Sequence, residues 1–272
     1  MARATLLETL MKLTQEQIEA YENDGYILLE GLFSPDEAAL MKSRLPRLFK
    51  LDRDEVIKEK SGVVRTVFAA HTFDDVFARV ARHPRLIEPA RQLLGSDVYM
   101  HQFKVNAKAA FNGDVWQWHQ DFGTWHQDDG MPEARAMNVA VFLDEVNEFN
   151  GPLMFIPRSH KRGRIEASHD RSTTSYPLWT LDNAKVAELV AEGGIVAPKG
   201  RAGTVLIFQS TLVHASSPNL SPWDRNTLYV TTNSVDNAIT RFKRPDFIAH
   251  RDFTPIKTLG DDCLDGFNQA VA

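Results

Sequence analysis

The chain has 272 residues, and its 31 lysines and arginines stand against 36 aspartates and glutamates, which gives a net charge of −5 at pH 7 with histidine neutral. Hydrophobic residues make up 43% and charged residues 25%, values typical of a globular protein that exclude collagen-like, disulfide-rich and strongly disordered classes. The slightly acidic balance argues against a general nucleic-acid or membrane-surface binder, because such proteins need a basic face.

The cysteine content and the hydropathy pattern point to a cytoplasmic protein. The single cysteine, Cys263, cannot form an internal disulfide and fits a reducing compartment. No apolar run approaches the ~20 residues that a membrane span needs. The N-terminal sequence lacks the continuous apolar segment of a secretory signal. We therefore expect a cytoplasmic enzyme or binding protein with no membrane partner and no nucleic-acid partner.

The chain is predicted to begin with a helix and a short strand. Thr14 and Gln17 form a capping box, in which each residue satisfies a backbone N–H of the other. Gly25 is placed to end this helix, since glycine readily adopts the left-handed conformation of a C-cap. The apolar run at 26–29 then has the character of a strand.

Two further helices are predicted before residue 97. Ser34 is a helix-capping residue, and Pro35 occupies the first helical position, where its missing N–H costs nothing. We expect this helix to end near Pro46. Another helix is predicted over 85–94, with Gly95 placed to terminate it.

From residue 97 the pattern changes to short β segments separated by Gly, Pro, Asn and Asp. Each is rich in β-branched, aromatic or alternating apolar residues, and one inserted helix is indicated within 182–199. The pattern predicts a mainly β fold with flanking helices. We expect one domain over 1–272, with a helical lead-in at about 1–96, a β-barrel core at about 97–242 and a C-terminal tail at 243–272. The predicted strands are 98–107, 137–143, 153–157, 204–208 and 228–232.

Three residues could form a metal site. His119 and Asp121 are two apart, so on a strand both side chains would point to the same face. His214 follows a strand-like segment and is the best-placed third ligand. Two histidines and one carboxylate leave three coordination positions open, as in non-haem Fe(II) oxygenases. A His-x-Asp pair alone is more often a hydrogen-bonded surface pair.

Arg225 supports the metal interpretation. It lies eleven positions after His214, at the start of the next predicted strand. A guanidinium group binds a carboxylate with two parallel hydrogen bonds, so an arginine close to the metal suits a dicarboxylate cosubstrate.

Several segments resemble the ectoine hydroxylases, which belong to the phytanoyl-CoA dioxygenase superfamily of Fe(II)- and 2-oxoglutarate-dependent enzymes. The resemblance covers about residues 14–242. The segments that carry it are WQWHQDFGTWHQDDGMP (116–132), NGPLMFIPRSH (150–160), HASSPNLSPWDR (214–225), VVRTVF (63–68) and VYMHQFKVN (98–106).

The resemblance implies a double-stranded β-helix, a cupin-like jelly roll, with iron at one mouth. The enzyme would use O2 and 2-oxoglutarate to hydroxylate an unactivated C–H bond of a small polar or zwitterionic molecule, releasing succinate and CO2. The substrate could be an ectoine-like compound, an amino acid or an aminophosphonate, and a homodimer is suggested. The implied roles are His119, Asp121 and His214 as Fe(II) ligands; Arg225, Ser216, Asn106 and Asn138 on the cosubstrate side; and Gln102 and Trp125 against the substrate.

The carboxylate at Asp121 favours hydroxylation over halogenation, because related halogenases carry a small residue there. Two positions depart from the ectoine hydroxylases. These enzymes usually have Ser where this chain has Gln120, and Glu where it has Gly123. Gly123 either faces outward or shapes the pocket for a different molecule. Positive charge near the substrate could come from Lys104, Lys108, Arg65, Arg135 or Arg158. No role is assigned to His71, His101, His126 or His160.

Two other classes stay open at this point. The same three ligands suit a Zn(II) or Mn(II) hydrolase, although a hydrolase has no use for the dicarboxylate clamp at Arg225. A non-catalytic β-barrel that binds a small molecule is the second alternative, and the intact ligand set argues against it.

Overall fold

The computed structural model of the protein describes residues 12–174 and 176–267. Within these ranges no helix is long and apolar enough to cross a membrane. The helices are α1 (Gln15–Asp24), α2 (Pro35–Ser43), α3 (Leu45–Leu48), α4 (Asp75–Val80), α5 (Pro84–Leu94), α6 (Asp121–Asp129) and α7 (Asn183–Gly193). The strands are β1 (Tyr26–Leu29), β2 (Val56–Lys58), β3 (Val64–Phe68), β4 (Val98–Lys108), β5 (Trp116–His119), β6 (Ala136–Phe142), β7 (Leu153–Phe155), β8 (Ser168–Asp170), β9 (Leu178–Thr180), β10 (Val205–Gln209), β11 (His214–Ser216) and β12 (Arg225–Ser234).

Two antiparallel sheets build the core. The larger sheet has seven strands in the order β1-β10-β6-β12-β4-β3-β2, and the smaller has three in the order β5-β11-β7. Strands β8 and β9 pair separately as a two-stranded sheet. The fold is the mainly β, cupin-like double-stranded β-helix with flanking helices that the sequence predicts.

Strand β6 shows that both faces of the larger sheet are buried. Val139 and Val141 belong to the large cluster that the N-terminal helices cover. Ala140 and Phe142 point the other way and pack in the cluster that includes Phe155 of the smaller sheet. Because alternate side chains of a strand face opposite sides, a nearly continuous apolar run is what a sheet buried on both faces requires.

The local signals in the first hundred residues are confirmed. Thr14 and Gln17 form the predicted capping box of α1, and Ser34 caps α2 in the same way. Gly25 ends α1 with φ +88°, and a Cβ there would lie 2.5 Å from His160 Nδ1. Glycine is therefore required by conformation and by space. Helix α5 ends at Gly95 in the left-handed conformation, as predicted.

The predicted helix that should end near Pro46 is divided in two. Helix α2 stops at Ser43, and Pro46 lies in the first turn of the separate helix α3. Proline is tolerated in a first turn because the N–H that it lacks has no intrahelical partner there. The five predicted strands are present with ends shifted by a few residues, and α7 occupies part of 182–199 with Asp182 as its cap.

Residues after β12 lie against the barrel. The backbone N–H of His250 donates to His101 O at 3.0 Å, and that of Ile256 donates to Val98 O at 2.9 Å. Cys263 and Leu264 are buried in the large core cluster. These contacts join the described residues after β12 to the barrel, and the single domain with its division into a lead-in, a core and a tail stays a prediction.

Candidate metal centre and cavity

Two histidines face each other across the smaller sheet. His119 is the last residue of β5 and pairs directly with His214, the first residue of β11. Asp121 completes the group, with Oδ1 3.7 Å from His119 Nε2 and Oδ2 3.6 Å from His214 Nε2. One donor atom of each residue lies within 4.8 Å of the others, as a metal centre requires.

The route by which Asp121 reaches this group differs from the prediction. The sequence interpretation placed His119 and Asp121 on one strand, but β5 ends at His119 and Asp121 is the first residue of helix α6. Gln120 keeps extended dihedral angles and marks the change between them. The juxtaposition was therefore predicted correctly, while the strand geometry used to argue it was wrong.

Backbone carbonyls fix the tautomers of both histidines. His119 Nδ1 lies 2.6 Å from Gln117 O, and His214 Nδ1 lies 2.9 Å from Leu212 O. A carbonyl oxygen only accepts, so each Nδ1 carries the proton and each Nε2 presents a lone pair towards Asp121. Burial lowers the pKa of His119 to about 3 and also lowers the pKa of His214, so both rings are neutral near pH 7.

Asp121 is held as a carboxylate. Burial by itself raises its pKa, but His214, Lys104 and His119 outweigh burial and bring the pKa below its usual range. Asn138 Nδ2 also donates to Asp121 Oδ2 at 2.6 Å, and Asn138 Oδ1 accepts from Thr231 at 2.6 Å. Asn138 thus contacts the carboxylate and is not among the described residues that line the cavity, and its place on the cosubstrate side stays a prediction.

The donor set fits Fe(II). Two neutral imidazoles and one carboxylate approach from one side, and all three line a cavity that leaves the other side open to ligands. The described residues that line this cavity are Phe68, Gln102, Lys104, Asn106, Trp116, His119, Asp121, Thr124, Trp125, Leu153, Tyr176, Leu178, His214, Arg225, Tyr229 and Arg244.

Arg225 lies at one side of the cavity and is 2% exposed. Its Nη2 donates to Gly151 O at 2.8 Å and to Ser216 Oγ at 3.0 Å, and its Nη1 donates to Thr227 Oγ1 at 3.3 Å. These partners are neutral, and burial lowers the pKa of the guanidinium. The buried Nε has no hydrogen-bond partner within the described part of the chain. An anionic group is what this arginine lacks, and the carboxylate of a 2-oxo acid fits.

Ser216 is hydrogen-bonded to Arg225. Its hydroxyl accepts from Arg225 and donates to Gly151 O at 2.9 Å. Ser216 is fully buried and is not among the described residues on the cavity wall. Asn106, by contrast, lines the cavity as predicted and accepts a hydrogen bond from Thr66 at 3.0 Å.

Gln102 and Trp125 both line the cavity, and their contact with the substrate stays a prediction. Gln102 Nε2 donates to Ile248 O at 2.8 Å, which fixes the amide. Gln102 Oε1 then accepts from Lys104 Nζ at 3.2 Å. Lys104 is the one member of the predicted group of cations that lines the cavity.

The other predicted cations have structural partners. Lys108 Nζ donates to Asp114 O at 2.8 Å and also to Ser217 O. Arg65 Nη1 donates to Glu59 at 2.8 Å, and its guanidinium lies 3.8 Å from the centre of the Trp116 ring. Arg135 and Arg158 are absent from the described lining.

Arg244 is the residue that sequence reasoning missed. It lines the same cavity and lies two residues beyond the region of resemblance, which ends at about residue 242. The Tyr176 hydroxyl interacts with it, and Tyr176 also lines the cavity. No spacing pattern in the sequence connects Arg244 to the metal residues, because the contact is made only in the folded chain.

The two departures from the ectoine hydroxylase motif do not reach the cavity wall that the structure describes. Gln120 is 2% exposed and links three backbone groups: its amide donates to Gly163 O and Thr211 O and accepts from Ile165 N. A Cβ added at Gly123 would meet no atom within 4 Å. Of the unassigned histidines, His126 contacts Met131 O and His160 contacts Glu22 O.

Comparison with known proteins places this site in a family. The model of the phytanoyl-CoA dioxygenase family matches residues 21–227. The chain is 38% identical over 255 residues to an ectoine dioxygenase of Bordetella bronchiseptica, an alignment that covers 88% of this chain and 83% of that relative. The structure of EctD from S. alaskensis with 2-oxoglutarate and 5-hydroxyectoine is 37% identical, with a TM-score of 0.82 over 91% of this chain and 87% of that one.

A second structure of the same relative, with bound Fe, is 36% identical and matches with a TM-score of 0.80, covering 91% of this chain and 87% of that one. The fold agrees with these matches. The chain belongs to the phytanoyl-CoA dioxygenase family and is a 2-oxoglutarate-dependent non-haem iron dioxygenase. Its cofactor is Fe(II), and 2-oxoglutarate and O2 are its cosubstrates.

Proposed function

We propose that this enzyme hydroxylates an unactivated C–H bond of ectoine or of a small zwitterion with a similar charge distribution. The observation that carries the proposal is one cavity that is lined by the three metal-site residues, by the buried arginine Arg225 and by two further cations, Lys104 and Arg244. The similarity to ectoine dioxygenases over most of the chain supports it.

His119, Asp121 and His214 would hold the iron. When bound, the iron with 2-oxoglutarate and O2 supplies the oxidising chemistry that hydroxylates the substrate and yields succinate and CO2. The residues themselves contribute a fixed geometry, because each imidazole is anchored at Nδ1 and Asp121 is anchored by Asn138. Such supporting hydrogen bonds orient metal ligands and set their basicity.

Arg225 would bind the carboxylate of 2-oxoglutarate that is remote from the metal. Its side chain is rigid, since Gly151 O, Ser216 Oγ and Thr227 Oγ1 all accept from it. Its Nε, which has no hydrogen-bond partner among the described residues, provides a donor, and its positive charge provides the electrostatic attraction. Asn106 lines the cavity as a further polar contact on this side.

Lys104 and Arg244 would bind the anionic group of the substrate. The aromatic rings of Phe68, Trp116 and Trp125 form much of the remaining wall. Aromatic faces pack against a small ring and attract a positively charged group, while they keep water away from the reacting carbon. A carboxylate and a delocalised cation on one small molecule would satisfy both parts of this wall.

An amino acid or an aminophosphonate would satisfy the same charges. Ectoine is favoured over them because Gln120 and Gly123, the two departures from the ectoine hydroxylase motif, lie off the cavity wall among the described residues. Family membership and the neutral surroundings of Arg225 oppose the hydrolase and the non-catalytic binding protein. A homodimer stays a prediction.

The test is hydroxylation of ectoine by the Fe(II)-reconstituted protein in air with 2-oxoglutarate. We expect ectoine to stimulate succinate formation strongly and to give a product that is heavier by one oxygen. Slow succinate formation that ectoine does not stimulate would reject ectoine, and amino acids and aminophosphonates would be tested next in the same assay. No succinate under any of these conditions would contradict the proposed roles of the metal-site residues.

A further inference from the structure

Helix α6 connects the metal site to the substrate side of the cavity. Asp121 begins the helix, Trp125 lies within it against the cavity, and Asp129 is its last residue. A helix rises 1.5 Å per residue, so these two aspartates are about 12 Å apart along the axis. Asp129 does not line the cavity as the structure describes it, and the metal chemistry does not use it.

The carboxylate of Asp129 binds the guanidinium of Arg244. Asp129 is fully buried, Arg244 Nε donates to its Oδ1 at 2.8 Å, and Arg244 Nη2 donates to its Oδ2. Burial by itself raises the pKa of Asp129, but the hydrogen bonds from Arg244 and the nearby His101 bring the pKa below its usual range. The pair is therefore charged and held through two parallel hydrogen bonds, the geometry that gives an arginine a defined orientation.

His101 packs on the other side of this carboxylate. Its Nε2 lies 3.4 Å from Asp129 Oδ2, and its ring meets Trp125 edge to face with centroids 5.1 Å apart. His101 is fully buried, and burial lowers its pKa, so it is a neutral neighbour that fills the space between Asp129 and the cavity wall.

The backbone around Asp129 holds the same segment. Thr240 N and Arg241 N both donate to Asp129 O, at 3.1 and 2.8 Å. Gly130 follows with φ +67°, and a Cβ there would lie 2.5 Å from Thr240 Oγ1 and 3.0 Å from Arg241 N. The C-terminal end of α6 therefore fixes the course of the chain just before Arg244 as well as the direction of its side chain.

These contacts leave one part of Arg244 for the cavity. A guanidinium has five N–H groups, and the contact through Nε and Nη2 uses two of them. The remaining donors belong to the end of the side chain that faces the cavity, where the Tyr176 hydroxyl is also found.

We propose that Asp129 is a positioning residue, which with His101 fixes the guanidinium of Arg244 relative to the metal ligand Asp121. Helix α6 then sets the distance between the anionic end of the substrate and the metal, and so determines which C–H bond is presented for hydroxylation. This inference rests on the proposed function, in which Arg244 binds the anionic group of a small zwitterion.

The test compares Asp129→Asn with a matched control, Asp74→Asn. Asp74 is also buried and caps the start of α4, away from the cavity. Its carboxylate accepts from Arg44 Nε at 2.9 Å and from Arg47. Both changes remove one buried charge from an arginine pair, so both should lower stability in a similar way. The wild type and both variants are assayed with Fe(II), 2-oxoglutarate and ectoine.

For Asp129→Asn we expect the KM for ectoine to rise about tenfold or more, because a displacement of about 1 Å in a binding group has effects of this order. The KM for 2-oxoglutarate should change less than about twofold. More succinate should form per molecule of hydroxylated product, or hydroxylation should appear at a second carbon. Asp74→Asn should leave all of these quantities unchanged. Equal effects in the two variants, or unchanged coupling and KM in Asp129→Asn, would overturn the inference.

Crystal structures of the two variants decide the inference independently of the substrate. We expect the Arg244 guanidinium to leave its position by about 1 Å or more in Asp129→Asn and to stay in place in Asp74→Asn. If the wild type hydroxylates no ectoine, the proposed substrate fails while this measurement still reports on Arg244. An unmoved Arg244 in Asp129→Asn would refute the positioning role.

Discussion

Two arginines line the same cavity, and they have different partners. Arg225, which we propose binds the cosubstrate, donates to the neutral acceptors Gly151 O, Ser216 Oγ and Thr227 Oγ1. Arg244, which we propose binds the substrate, is paired with the carboxylate of Asp129. An arginine without a counter-charge attracts a dicarboxylate strongly, because binding restores the missing partner in a site of low dielectric constant.

An arginine that is already neutralised contributes less attraction, but its direction is fixed. We infer that the cosubstrate side of the cavity is built for affinity and the substrate side for orientation. The enzyme needs both, because 2-oxoglutarate must be retained through the reaction while the substrate must present one particular C–H bond. Each of the following variants tests this contrast.

Asp121→Ala should abolish the activity of the enzyme, which depends on both the cosubstrate and the substrate side of the cavity. Loss of the carboxylate removes one of three metal-site residues, so we expect hydroxylation to fall by more than about 100-fold together with a lower iron content of the purified protein. Product formation and bound iron are measured side by side. Asp128→Ala, a change on the same helix outside the described cavity wall, is the control and should retain both. Wild-type hydroxylation in Asp121→Ala would show that Asp121 is not a ligand.

Arg225→Gln should affect the cosubstrate alone. Charge-assisted hydrogen bonds contribute about 1.5–3 kcal/mol, so we expect the KM for 2-oxoglutarate to rise between about tenfold and 100-fold. The KM for ectoine should stay within about twofold of the wild type, since Arg244 is untouched. Steady-state kinetics with each compound varied in turn provide the measurement. A larger effect on ectoine than on 2-oxoglutarate would reverse the assignment of the two sides.

Lys104→Met should affect the KM for the substrate and not that for the cosubstrate, and the effect should be smaller than that of Arg225→Gln. Lys104 lines the cavity, contacts Gln102 and lies 5.4 Å from the centre of the Tyr229 ring, so methionine keeps most of its packing while removing the charge. We expect the KM for ectoine to rise by about threefold to tenfold and the KM for 2-oxoglutarate to be unchanged. A neutral substrate analogue should be insensitive to the change, and sensitivity of that analogue would argue for a packing defect.

Gly130→Ala should displace the chain segment before Arg244, although Gly130 is not among the described residues that line the cavity. The added Cβ meets Thr240 and Arg241, and φ +67° is unfavourable for alanine, so we expect a loss of about 1 kcal/mol in stability. The KM for ectoine should rise by a few-fold with that for 2-oxoglutarate unchanged. Gly95→Ala, at a helix end with the same left-handed conformation and no atom within 4 Å of the added Cβ, is the control for strain alone. Equal kinetics in the two variants would indicate that the chain before Arg244 does not orient it.

The sequence predicts the frame of this molecule well because the frame depends on local signals. The capping residues Thr14 and Ser34, the helix-ending Gly25 and Gly95, and the apolar β segments all act within a few residues, and the structure confirms each of them. Short elements are different. Strand β5 has four residues and β11 has three, and neither is long enough to give a distinct periodicity.

The site residues also differ in how far the sequence predicts them. His119, Asp121, His214 and Arg225 lie inside recognisable motifs, so the resemblance identifies them although their geometry was argued from the wrong element. Asn138 and Ser216 are predicted on the cosubstrate side, and the structure shows them hydrogen-bonded to Asp121 and Arg225 while their contact with the cosubstrate stays a prediction. A sequence indicates that such polar residues are close to the site, but it does not indicate which layer they occupy.

The position of Arg244 in the chain has a consequence for how the cavity comes into being. Every strand of both sheets, both histidines, Asp121 and Arg225 precede it, so during synthesis they emerge from the ribosome first. The cosubstrate side can therefore assemble on the nascent chain while the substrate side is still open. Arg244 joins the cavity wall from the segment 244–264, which contacts β4 and the core.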